Sequence, residues 1–161
     1  MDTKRIAYNS IKYSLGITQA AVLNDVPMYD ILCPAGSTRS VGIYRMELIA
    51  RTAVASLVQV CFPDTVGTQN GPFTPVDVDV IASAAQARVA NAWTVAPAPG
   101  AALTIAFLAL PATAFERRVI EFPPDDPLIL TAGRNLLLHN VSGAACAETT
   151  LNLWMREIFS S

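Results

Sequence analysis

Val41-Gly42-Ile43-Tyr44-Arg45-Met46-Glu47-Leu48-Ile49-Ala50-Arg51 is the stretch on which the fold turns. Tyr44, Met46 and Leu48 alternate with Arg45 and Glu47. A period of two places one set of side chains on each face of a strand, so the pattern predicts a strand with one buried face and one charged face. Downstream, Leu57, Val58, Val60 and Phe62 fill both faces of residues 56–62, as expected of a strand central in its sheet. Upstream, residues 28–32 form a shorter apolar run closed by Cys33-Pro34-Ala35-Gly36.

The rest of the chain reads in the same way. Residues 67–75, rich in Gly, Thr, Gln, Asn and Pro, form a surface loop. Residues 79–90 are the one place where helix competes, since Ile81, Ala84, Ala85 and Arg88 fit helical spacing. Strand character returns at 87–95 and again at 103–110, which is apolar on both faces. Residues 119–122 end at Pro123-Pro124-Asp125-Asp126-Pro127, a rigid turn cluster. Residues 128–130 bend at Gly133 into 135–140. Residues 149–158 close the series, with Leu151, Leu153 and Met155 on one face and Asn152, Trp154 and Arg156 on the other. Eight or nine short strands between turns predict an all-β, two-sheet antiparallel sandwich, with a jelly roll as the expected topology. Residues 26–161 are assigned to that sandwich. Residues 1–25 show no clean period of 2 or 3.6 and are read as an extended N-terminal arm.

Composition limits what such a sandwich does. The chain has 161 residues, 52% hydrophobic and only 15% charged, with a mean hydropathy of +0.39. That balance is apolar for a lone soluble domain and predicts that some surface faces other chains. A net charge of −2 without a basic run gives counterion release little to act on, so nucleic acid is not expected as a partner. The uncharged stretch between Arg88 and Glu116 is broken by Pro97, Pro99, Gly100 and Pro111. Its longest uninterrupted piece would reach about 15 Å as a helix against ~30 Å of hydrocarbon, so no membrane anchor is expected.

Candidate chemistry is sparse. Cys33, Cys61 and Cys146 lack zinc-type spacing, and no secretion-type leader precedes them, so reduced, buried thiols are expected. His139 is the only histidine, which argues against a cupin-type metal site and against a serine triad. No Gly-x-Ser-x-Gly elbow, Walker loop or Gly-x-Gly-x-x-Gly fingerprint occurs. Asp77 with Asp79, and Asp125 with Asp126, are weak calcium signals, since aspartate is common in turns. No catalytic residue, metal or cofactor is assigned. Trp93 and Trp154 offer an alternative, a carbohydrate- or receptor-binding platform, against the plainer reading of packing.

The order of features adds a resemblance. Gly36-Ser37-Thr38-Arg39-Ser40-Val41 leads into the 43–49 strand, followed by a Gly/Thr/Pro loop and the alanine-rich 82–89. Trp93-Thr94-Val95-Ala96-Pro97 and Gly100 come next, then Pro127-Leu128-Ile129-Leu130 with Gly133, Leu136 and Leu138, and finally Leu151-x-Leu153-Trp154-x-Arg156-Glu157. Over residues 35–158 this resembles the small β-sandwich structural proteins of tailed-bacteriophage virions. The resemblance implies a virion protein made in the host cytoplasm, a capsid decoration or cement subunit, with head-fibre, collar and tail roles as alternatives. It implies a homo-oligomer, often a trimer, that binds the major capsid protein. The cationic and aromatic arm suggests that Lys4, Arg5, Tyr8, Ile11 and Tyr13 make the shell contact.

Overall fold

The computed structural model describes residues 10–78, 84–100 and 103–159. Thirteen strands run in chain order: β1 (Ser10–Gln19), β2 (Pro27–Cys33), β3 (Arg39–Ala50), β4 (Ser56–Cys61), β5 (Thr68–Gln69), β6 (Val76–Asp77), β7 (Arg88–Ala90), β8 (Trp93–Val95), β9 (Thr104–Leu110), β10 (Arg117–Glu121), β11 (Leu128–Leu130), β12 (Arg134–Asn140) and β13 (Thr149–Phe159). No α-helix occurs among the described residues.

The strands form two antiparallel sheets, and the fold is an all-β sandwich. The first sheet has the order β10-β3-β13-β1-β6, with β11 also paired to β3, and the second has the order β7-β2-β12-β4-β9. A two-stranded ribbon, β5-β8, stands apart. Among the eight principal strands the pairs nest: β4 with β9, β3 with β10, β2 with β12, β1 with β13.

Alternation fixes which faces meet. Met46 and Leu48 of β3 and Leu151, Leu153 and Met155 of β13 point inward against Tyr29 and Ile31 of β2, Val58 and Val60 of β4, and Leu136 and Leu138 of β12, all buried in one cluster. Gly133, which bends the chain from β11 into β12, has φ +79°, the left-handed conformation glycine adopts without penalty.

Two expectations change, and two further segments are placed as far as they are described. Residues 10–19, assigned to the arm, form a full strand inside the first sheet, paired with β13 along its whole length. The alternation is there in Ile11, Tyr13, Leu15 and Ile17, and all four pack into the core. Residues 1–9 lie outside the described part. Tyr44 does not share the buried face of Met46 and Leu48: the register of β13 against β3 shifts between Trp154 and Met155, leaving Tyr44 as the extra residue. A bulge re-aims side chains, and Tyr44 lies half-buried with the Arg156 guanidinium 5.6 Å from its ring centre. Where helix competed, residues 79–83 lie outside the described part, 84–87 are irregular, and strand resumes at β7. Lastly, β9, apolar on both faces, is an edge strand with Phe107 59% exposed.

Candidate interaction surface

β4 and β9 are hydrogen-bonded neighbours, yet the 42 residues 62–103 separate them in sequence. That excursion closes one side of the sandwich. Its β6 pairs with β1 at the edge of the first sheet, its β7 pairs with β2 at the edge of the second, and Gln69 and Trp93 of its β5-β8 ribbon reach Asp30 on β2.

Two buried carboxylates fasten it. Asp30, fully buried on β2, accepts hydrogen bonds from Asn135 Nδ2 at 2.7 Å and Gln69 Nε2 at 3.0 Å, with Trp93 Nε1 at 3.5 Å. All three donors are neutral. Burial therefore pushes the Asp30 carboxyl above its usual range, against the opposing effect of those hydrogen bonds. Glu157 continues the inward face of β13 beyond Met155 and is also fully buried. It accepts from Arg39 Nη1 at 2.8 Å and from the backbone N–H groups of Gln86 and Ala87, the latter at 2.7 Å. The Arg39 guanidinium also stacks 4.4 Å from the Phe159 ring centre. Both acids anchor chain segments, and among the described residues neither lies beside a second acid or a base arranged for proton transfer to a substrate.

The remaining candidates fall into structural places. His139 on β12 is buried, with Nε2 3.2 Å from Asp25 Oδ1, but neither ring nitrogen makes an aligned hydrogen bond among the described residues. The three cysteines are free and buried, and burial raises all three thiols. Among the described residues no group of three His, Cys, Asp or Glu side chains converges on a cation position. Asp79 lies outside that set, Asp77 sits on β6, and Asp125 and Asp126 are exposed in their turn. Trp154 has the Arg45 guanidinium 4.9 Å from its ring centre, and the Trp93 indole N–H is directed at Asp30. Of the arm residues, Tyr13 is fully buried and so not available to a shell, and Ile11 is partly buried against the core; Lys4, Arg5 and Tyr8 lie outside the described part.

The opposite side of the sandwich is open. There β9 ends the second sheet and β10 the first. From Leu103 to Phe115 the sequence has no charged residue. Leu103 is 52% exposed, Phe107 59% and Phe115 76%, and Leu57 on β4 adds partly exposed apolar surface beside Ala109. β10 differs: Arg117 and Glu121 are exposed and pair within the sheet, Arg117 with Glu47 at 3.7 Å and Glu121 with Arg45 at 3.4 Å.

Sequence reading missed Asp30, Glu157 and this edge. Asp30 was visible as a lone acid within an apolar run, and Glu157 as the next inward position after Met155. Comparison with models of known protein families and with curated proteins finds no match for this chain.

Proposed function

We propose that this chain is a non-enzymatic structural subunit that works by self-association and, from the resemblance above, a capsid decoration or cement subunit of a tailed-phage virion. The observation that carries the reading is the apolar open edge. β9 is seven residues long, uncharged, and leaves Phe107 and Leu103 in water. Natural proteins blunt such an edge with charge, proline or a covering loop, because an unpaired strand is a template for another chain. Here the described strands of the excursion pair on the other side, and no described strand pairs beyond β9 on this one. The jelly-roll topology belongs to the same proposal, supported by the nested pairing of first strand with last, second with seventh, third with sixth and fourth with fifth.

Attachment to a shell is assigned to Lys4, Arg5 and Tyr8, the part of the cationic stretch that precedes β1. Many weak contacts of such arms gain strength through avidity when the subunit is oligomeric. Removing residues 1–9 leaves β1 whole, whereas a deletion reaching Leu15 would cut into it. Sedimentation with purified shells tests the assignment. The full chain is expected to sediment with them as an oligomer, and the shortened chain to stay in solution as the same oligomer. A full chain that ignores shells would overturn the virion reading, and undiminished binding by the shortened chain would overturn the arm's role.

A further inference from the structure

We propose that two copies of this chain join side by side through the open edge, about a twofold axis that sets β10 against β10 with Val119 opposite itself. The inference rests on the self-association proposed above and specifies its partner, register and symmetry.

The partner follows from the absence of charge on β9. Thr104–Leu110 carries no group that selects an oppositely charged surface, and exposes a strand edge beside the apolar side chains of Leu103 and Phe107. A second β9 meets it with the same lack of charge, so neither copy buries an unpaired ion.

The register follows from β10, at the edge of the neighbouring sheet on the same side. The sequence Arg117-Arg118-Val119-Ile120-Glu121 is self-complementary when run antiparallel about Val119. Arg117 of one copy then faces Glu121 of the other, and the same contact recurs by symmetry, as an isologous interface requires. Val119, 38% exposed, meets its own counterpart. Centring the pairing half a residue earlier would put Glu116 opposite Glu121, and like charges directly across a strand pair are unfavourable. A cyclic trimer needs two different complementary patches; a self-complementary strand serves a twofold.

Within one chain Arg117 pairs with Glu47 and Glu121 with Arg45, so exchanging the two charges worsens both internal contacts. Between chains the exchange restores the match. Sedimentation equilibrium should therefore show Arg117→Glu or Glu121→Arg weakening the dimer by roughly tenfold, from two opposed pairs turned repulsive, and the double exchange recovering most of the loss. Val119→Cys provides a second readout. The native cysteines are all buried, so mild oxidation should yield a covalent dimer through position 119 alone, at the close spacing of directly opposed residues.

A wild-type mass of three chains, a double exchange no better than the single ones, or no cross-link at position 119 would each overturn the twofold while leaving self-association standing. A wild-type chain that stays monomeric at every concentration would overturn the self-association reading itself.

Discussion

The two sides of this sandwich face the same physical problem and resolve it differently. On the closed side, the edges of β1 and β2 are capped by strands of only two and three residues, β6 and β7, from the excursion that Asp30 and Glu157 hold in place. Val76 on β6 is 67% exposed, but a two-residue strand offers a partner almost no backbone to pair with. On the open side, β10 is guarded by Arg117, Arg118 and Glu121, while the longer β9 has no charge. Described strands of the excursion cap one side, and among the described residues no strand caps β9 or β10 on the other. In the proposed reading, the edge left apolar beside a protected neighbour is the one that a second copy covers.

Breaking the closed side should have the largest effect on stability. Arg39→Met leaves the buried Glu157 with two backbone N–H donors and no cation, and breaking a buried pair in this way costs about 3–5 kcal/mol. Urea unfolding checks this, and a loss under about 1 kcal/mol would mean that Glu157 does not anchor the excursion.

The second acid gives a smaller, pH-dependent effect. The carboxyl of Asp30 is raised in the folded chain, so its contribution is fully present below about pH 4, where the unfolded group is also protonated, and is lost as pH rises through the higher folded value. Asp30→Asn removes that dependence. The stability of wild type relative to the variant should therefore fall as pH rises from about 4, measured by thermal unfolding at a series of pH values. A relative stability that rises with pH would show that the three neutral donors outweigh burial.

The smallest effect on stability is expected on the open side. Phe107→Lys places a charge on an exposed side chain outside the core and, compared at a dilution where wild type is dissociated, should change unfolding stability by no more than about 0.5 kcal/mol. The same substitution should abolish self-association in light scattering, and that separation of the two readouts distinguishes an interface residue from a core residue.

Much of this was legible in the sequence. β3 and β13 show through because each packs one face on the core and carries the alternation that burial imposes, and β4 and β12 because their apolar runs mark strands buried on both faces. β1 was obscured by the cationic and polar residues around it, Lys4, Arg5, Asn9 and Ser14, although Ile11, Tyr13, Leu15 and Ile17 alternate as cleanly as any strand in the chain. The excursion was illegible for a physical reason: strands of two or three residues carry no period, and their pairing is set by contacts distant in sequence. The candidate site was hidden for a related reason. A strand apolar on both faces reads as buried, and only the sheet order reveals that β9 stands at an edge with Phe107 exposed.

The most direct test of that contrast is amide hydrogen exchange in β9 and β10, compared with β7, across a hundredfold dilution. With the open edge covered by a second copy, the outward-facing amides of β9 and β10 are protected at high concentration and lose that protection on dilution, while β7, paired within its own chain, exchanges at the same rate throughout. Exchange in β9 and β10 that is independent of concentration would contradict the central claim that this edge is an interface.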